Sequence, residues 1–359
     1  MNIAVSAVAG CDRRTRPRAA PTDGHPVIKE PQRAKSRWWR GAKVAFRVVT
    51  SIALIGYLLG QTDLRQLAGT LANLHWRFFG VALASYLASQ VISARRWAGL
   101  ATAVGFVGRQ SRFLSLYFQG MFFGLCLPSS VGGDVVKAWK LGENTRQRVL
   151  AACTVFADRA TGVYALGLLA MAAIFWHQGF VSPPAAVGCI LAWMAAGIGG
   201  VHLGLAVLRA FAPSLERFPK LGRVVVQLRP YHEEPSVIQR AVLFSMAIQG
   251  LNALTVLWIG WSLGLTVPAA TYFVAVPAAA LISALPISVG GMGVRETALT
   301  FFLVQGDASQ DMAVTVGLVW LGIILISGLV GGLFYMADAR AGEMPAGCIP
   351  MPQSIHEGP

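Results

Sequence analysis

The chain has 359 residues, of which 55% are hydrophobic and only 13% are charged, whereas about a quarter of the residues in soluble domains are charged. The mean hydropathy of +0.57 excludes an ordinary soluble globular protein. The formal net charge of +14 could suggest nucleic-acid binding, but no folded basic domain with interleaved aromatic residues accompanies it. Composition therefore predicts an all-α polytopic membrane protein without a nucleic-acid partner.

Eight hydrophobic segments follow one another along the chain. Two of them, 113–127 and 272–285, are short for a bilayer crossing, which takes about 20 residues. The other six are long enough to span: 42–60, 78–105, 150–176, 186–208, 241–264 and 312–336. The pattern predicts six full spans and two re-entrant helical hairpins in an inverted-repeat-like arrangement.

The flanking segments differ in composition from this predicted transmembrane domain, which covers 42–340. Residues 1–47 contain 11 Lys and Arg against 3 acidic residues. We therefore expect 1–41 to be a basic, disordered cytoplasmic tail that leads into a membrane-surface anchor. Residues 341–359 form a predicted C-terminal tail.

The distribution of cations gives a predicted orientation, because Lys and Arg accumulate in cytoplasmic loops. If both short segments return to the side they enter from, 26 of the 30 Lys and Arg lie inside and two, Arg65 and Arg77, lie outside. Only Arg159 and Arg295 then remain at membrane depth. We therefore expect both termini in the cytoplasm and two hairpins that enter the bilayer from opposite faces.

A repeated motif follows each short segment. The stretch LPSSVGGDVVKAW runs from Leu127 to Trp139, and LPISVGGMGVRET runs from Leu285 to Thr297, at a constant offset of 158 residues. Lys137 in the first copy corresponds to Arg295 in the second. Breakers that occur at matching positions in two halves of a membrane protein are typical of a transporter's central site.

The chemistry of the motif favours an anion site. Its backbone positions are Pro128, Gly132, Gly133, Pro286, Gly290 and Gly291. Proline ends a helix, glycine permits unusual backbone shapes, and a helix that begins after Gly-Gly would direct free N–H groups at the break. Lys137 and Arg295 would add charge there. The alternative is a pair of tight turns whose cations reach towards lipid head groups.

Charged residues within a predicted span give a second indication. Asp158 and Arg159 lie inside the 150–176 run, where unpaired charge is costly and usually marks function. Neighbouring helical residues point about 100° apart, so each needs another partner. We expect Lys137 or Arg295 to pair with Asp158.

For Arg159 the expected partner is Asp134 or Glu296. Asp134 and Lys137 are three residues apart and could also pair along their own helix. A purely structural ion-pair network is the other interpretation of these charges. Arg95, Arg96 and Trp97, at the end of a span, resemble an interfacial anchor.

Other chemistry finds little support. The five cysteines have no C-x-x-C pairing, and the six histidines lack ligand spacing, so no metal site and no cofactor are predicted. No phosphate-binding loop and no nucleophile motif occur. We therefore expect a protein that is not an enzyme.

Four stretches carry a family resemblance: RRW at 95–97, LPSSVGGDVVKAWKL at 127–141, DRATGVYAL at 158–166 and LPISVGGMGVRETAL at 285–299. Together they resemble the lysylphosphatidylglycerol synthase transmembrane region, a flippase-like domain. The resemblance implies a multi-pass protein of the bacterial inner membrane that moves a lipid or lipid-linked molecule between leaflets. Synthases of this family carry a soluble aminoacyl-transferase domain after the membrane part. We expect this chain to lack it and to work beside a separately encoded lipid-biosynthesis enzyme.

The leading hypothesis is a transporter for an anionic or lipid-linked molecule. Lys137 and Arg295 would receive the head group, while Asp158, Arg159, Asp134 and Glu296 would shape and neutralise a midplane cavity. The alternatives are a membrane-embedded transferase with Asp158 or Asp134 as base, and an accessory subunit in lipid or lipid-linked glycan synthesis. Replacing Arg295 with Ala is expected to abolish transport but not expression.

Overall fold

The computed structural model describes residues 46–60, 69–127, 131–176, 227–284 and 287–340, apart from 47 and 71, together with positions 188, 193 and 195. All of them belong to one unit, Lys43–Pro359. The predicted tails, most of the predicted span 186–208, and both motif prolines, Pro128 and Pro286, lie outside the described residues. Every regular element within these ranges is a helix, as predicted.

The helices are numbered here in chain order. They are α1 Val48–Gly60, α2 Trp76–Ala103, α3 Gln110–Cys126, α4 Gly132–Leu141, α5 Thr145–Trp176, α6 Pro230–Glu233, α7 Pro235–Ser262, α8 Ala269–Ser283, α9 Val294–Gln305 and α10 Gln310–Arg340.

Three helices in the described part of the chain are long and apolar enough to cross a bilayer: Thr145–Leu169 within α5, α7 and α10. The chain is therefore a helical membrane protein. Helix α2 has 28 residues, also sufficient in length, but it contains three arginines. The sequence analysis places Arg95 and Arg96 at the end of a span, and α2 continues past them to Ala103. Both arginines are therefore helical, with Arg95 exposed and Arg96 buried.

Each copy of the repeated motif joins two helices that pack against each other. Helix α3 packs on α4 across the first break, and α8 packs on α9 across the second. Helix α5 contacts α4 of the first pair and α8 of the second, so it lies between the two hairpins. Entry of the hairpins into the bilayer from opposite faces stays a prediction.

Glycines bring the backbones of α3, α4 and α10 into direct contact. A Cβ added at Gly133 would lie 2.0 Å from the Gly120 carbonyl oxygen, and one added at Gly331 would lie 2.0 Å from the Phe118 carbonyl oxygen. Small residues at helix crossings allow close approach within membranes. Helix α3 is therefore held against α4 on one side and α10 on the other.

Two apolar clusters fill the interior. One joins α2 with α7 to α10 and includes Tyr272, Ile259 and Leu299. The other joins α2 to α5 around Trp97 and Phe113, whose rings meet edge to face at 5.7 Å. The second cluster packs against α4 of the first motif and holds together α4 and α5, the helices that carry the charges of this region.

Candidate functional site

The first motif forms a three-residue charge cluster between α4 and α5. The buried Asp134 carboxylate accepts from Lys137 Nζ at 2.8 Å through Oδ1 and from Arg159 Nε at 2.9 Å through Oδ2. Both predicted pairings of Asp134 are therefore present. We call Asp134, Lys137 and Arg159 the first charge cluster.

Lys137 lies deep within this cluster, because its side chain is 6% exposed. Its Nζ lies 4.7 Å from the centroid of the Tyr117 ring and 5.5 Å from that of Trp97. Aromatic faces stabilise a desolvated cation. Lys137 is therefore satisfied by its own surroundings, with Asp134 on one side and two rings on the other.

The start of α4 differs from the expected geometry. The helix begins at Gly132 itself, so the prediction that it begins after the Gly-Gly pair is wrong for this copy. Gly132 and Gly133 form the first turn of α4. Helix α3 runs so close to this turn that a Cβ at Gly133 would overlap the Gly120 carbonyl, which explains why glycine occupies that position. Close packing, rather than unusual backbone dihedrals, explains this pair of glycines.

The second motif agrees with the expected geometry more closely. Gly290, Gly291 and Gly293 all have positive φ, at 59°, 81° and 83°, a region that other residues rarely adopt. They form an irregular turn before α9, which begins at Val294. In this copy the glycines allow backbone dihedrals that the break needs and that other residues rarely adopt.

Arg295 and Glu296 form a second charge pair at the start of α9. The Glu296 carboxylate accepts from Arg295 Nε at 3.0 Å and Nη2 at 2.5 Å through Oε1. Its Oε2 accepts from the Gly293 backbone N–H at 2.7 Å, which caps the helix. The Arg295 guanidinium also lies 4.8 Å from the Trp320 ring centroid.

Asp158 has a partner that the sequence did not indicate. Arg96 Nε donates to Asp158 Oδ1 at 2.7 Å, and Arg96 Nη1 donates to Ser245 Oγ at 2.6 Å. The expected pairing of Asp158 with Lys137 or Arg295 is therefore wrong. The interpretation of Arg96 as an interfacial anchor is wrong as well, because its side chain is only 7% exposed.

A further polar cluster, also missed, joins α3 and α4 to the end of α10. Asp338 Oδ2 accepts from Ser115 Oγ at 2.8 Å and from Gln119 Nε2 at 2.5 Å. Lys140 Nζ donates to Gln119 Oε1 and lies 4.6 Å from the Tyr335 ring centroid. An acidic residue close to the end of the last apolar run was the available signal.

The net charges of these groups differ. Arg96 with Asp158 is neutral, and so is Arg295 with Glu296, because each carboxylate faces one guanidinium. The first charge cluster has two cations and one carboxylate, which leaves one positive charge uncompensated. No ion pair connects the first cluster to the Arg295 pair within the described ranges.

Metal binding finds no support in the described part of the chain, which contains no group of three or more His, Cys, Asp or Glu residues suited to a metal ion. The charged side chains of the predicted site are instead held by one another, by a serine hydroxyl and by aromatic rings. The fold and these groups define a helical membrane protein with charged side chains inside its bundle.

The comparison with protein families agrees with this class. Residues 44–332 match the family described as the lysylphosphatidylglycerol synthase TM region. The match covers most of the chain, and the protein belongs to this family, as the motif stretches predicted. Among curated proteins, no sequence matches the chain.

Proposed function

We propose that this protein moves an anionic or lipid-linked molecule between the leaflets of the bacterial inner membrane. Membership of a lipid-related membrane family supports a lipid substrate. The observation that carries the proposal is the uncompensated positive charge of the first charge cluster, whose Arg159 lies on α5, the helix that packs against both hairpins. A cation at membrane depth is costly unless an anion or water approaches it.

Transport without covalent chemistry is the second part of the proposal. The three buried carboxylates at the predicted site, Asp134, Asp158 and Glu296, all accept from cationic side chains at 3.0 Å or less. Both oxygens of Asp134 and both oxygens of Glu296 accept hydrogen bonds, whereas a general base must have an oxygen within hydrogen-bond reach of the proton it removes. Carboxylates that hold cations in place are better suited to shaping a polar path than to catalysis.

Leaflet exchange in proteoliposomes tests this function. Purified full-length protein is reconstituted with fluorescent phosphatidylglycerol or fluorescent phosphatidylcholine, and external dithionite reports the fraction of label in the outer leaflet over time. We expect exchange of the anionic lipid to exceed that of the zwitterionic lipid and to exceed that in protein-free vesicles.

The opposite outcomes are equally informative. Exchange no faster than in protein-free vesicles, with this lipid and with lipid-linked analogues, would contradict transport. A new lipid product after incubation with a whole-cell lipid extract would instead support the transferase alternative.

Single-cysteine labelling at positions 180 and 220 tests the proposed orientation, because only position 180 should react from outside the cell.

A further inference from the structure

One face of α5 is exposed along several turns. Ala152, Phe156, Arg159, Ala160 and Val163 are all exposed, at spacings that place them on a single side of a helix. Phe156 is 75% exposed and Val163 is 40% exposed. Arg159 is the one charged residue in this set, so a cation lies in the middle of an otherwise apolar face.

The Arg159 guanidinium has room for a ligand. Its side chain is 64% exposed, although its Nε donates to the buried Asp134 carboxylate at 2.9 Å. The two Nη groups have no hydrogen-bond acceptor among the described residues. An arginine held through one edge presents its remaining N–H donors in the fixed fork that suits phosphate oxygens.

The two motif cations are less accessible than Arg159. The Lys137 side chain is 6% exposed, and its Nζ is held by Asp134 beneath the Tyr117 and Trp97 rings. The Arg295 side chain is 12% exposed and is neutralised by Glu296. Arg159 is therefore the member of the predicted site that a ligand can reach from outside the bundle.

The surroundings of Arg159 favour a lipid over a soluble anion. The neighbouring helix α4 also exposes apolar side chains, with Val135 at 59% and Trp139 at 60%. Arg159 is 14 residues beyond Thr145, the first residue of α5, which is about 21 Å along the helix. A phosphate bound there would have apolar helix surface on both sides, as a phosphodiester with attached acyl chains requires.

We propose that Arg159 binds the phosphodiester of a membrane lipid that enters sideways from the bilayer, with its acyl chains along the exposed faces of α4 and α5. This site rests on the proposed function in one respect: the lipid bound at Arg159 would be the molecule that the protein moves. Lys137 then acts as a positioning residue, because it shares the Asp134 carboxylate that holds Arg159 in place. The lipid's negative charge compensates the charge left over in the first charge cluster.

Photo-crosslinking tests this site without requiring transport. The photoreactive amino acid p-benzoylphenylalanine replaces Phe156 in the full chain, in vesicles of equal phosphatidylglycerol and phosphatidylcholine content, and mass spectrometry counts the adducts of each lipid. We expect about fivefold more phosphatidylglycerol adducts, the preference that one cation near an anionic lipid gives. The control probe replaces Leu329, which is 64% exposed on α10, and should give a ratio near that of the vesicle.

Two variants in the Phe156-probe protein assign the effect to Arg159. Arg159→Gln keeps a donor for Asp134 but removes the charge, so the adduct ratio should fall to that of the Leu329 probe. Arg159→Lys keeps the charge and should retain most of the preference. Equal ratios for the two probes in the otherwise native protein would overturn the proposal, and this comparison stands even if a variant does not fold. A preference that survives Arg159→Gln would also overturn it.

The two proposals fail separately. A preference at Phe156 that depends on Arg159, without leaflet exchange of any tested lipid, would support the lipid site and contradict transport. Exchange of phosphatidylglycerol with no preference at Phe156 would support transport and overturn the lateral site.

Discussion

The crossing of α3 and α4 at Gly133 makes a sharp test of the packing described above. In Gly133→Ala, the new Cβ would lie 2.0 Å from the Gly120 carbonyl oxygen. An ordinary carbon–oxygen contact measures about 3.3 Å, so the two helices would have to separate by about 1.3 Å. Overpacking of this kind typically costs about 1–3 kcal/mol. The Lys137 stem also contacts Gly120, so the separation would move the first charge cluster.

The matched control is Gly124→Ala in α3, where an added Cβ would meet no atom within 4 Å. Both variants exchange a helical glycine for alanine, so differences in helix propensity largely cancel between them. The assay is thermal unfolding in detergent, followed by dithionite-monitored exchange in proteoliposomes. We expect Gly133→Ala to unfold at a lower temperature than both the native protein and Gly124→Ala. Equal unfolding temperatures for the two variants would refute the close backbone crossing.

Three further changes test the buried polar groups. Asp158→Asn should destabilise the protein by about 3–5 kcal/mol in denaturant unfolding, because it leaves Arg96 buried without its counter-charge. Arg295→Ala should lower both stability and exchange, since Glu296 loses its partner, whereas the double change Arg295→Gln and Glu296→Gln should recover stability but not exchange. Burial raises the pKa of the Tyr231 hydroxyl. Above the unfolded pKa of about 10, the unfolded chain loses this proton before the folded protein does, so the free energy of unfolding should fall as the pH rises. Tyr231→Phe should weaken this loss in unfolding measured between pH 9 and 12.

The controls for these changes follow from the same contacts. Arg96→Gln combined with Asp158→Asn removes both charges and should be more stable than Asp158→Asn alone; equal stabilities would contradict a buried pair. If the variant with both glutamines exchanged lipid between leaflets at the native rate, Arg295 would not belong to the transport site. The Tyr231 hydroxyl donates to the Leu100 carbonyl at 2.8 Å, so Tyr231→Phe should also cost about 1 kcal/mol at neutral pH. Identical alkaline unfolding of the two proteins would contradict the raised pKa.

The sequence predicted most of what depends on local pattern. Apolar run lengths indicated helices α5, α7 and α10, and the repeated motif indicated where α3 and α8 would end. The pairing of Arg159 with Asp134 was one of the two pairings predicted for this arginine, because a charge inside a span needs an opposite charge. Run lengths and motifs can be recognised from residues that are close together in the sequence.

Long-range partners were harder to predict. Arg96 and Asp158 are 62 residues apart, and their meeting depends on how α2 packs against α5. The adjacent Arg95 obscured the signal, because two arginines at the end of an apolar run resemble an interfacial anchor. Helix periodicity turns one residue outward and the other inward. The side of the helix that faces inward is decided by packing, which a single sequence does not record.

The glycine contacts on both sides of α3 also bear on how the protein can change shape. Packed interfaces are bistable rather than continuously deformable, and backbone-to-backbone contact leaves little space for sliding. Helices α3, α4 and α10 would therefore move as one rigid block. The turn at Gly290 is different, because a Cβ there would meet no atom within 4 Å. Gly291 and Gly293 in the same turn pack closely, because added Cβ atoms would lie 3.0 Å from Ser283 and 2.8 Å from Leu54. Freedom to change shape at the second motif would therefore be confined to the backbone around Gly290.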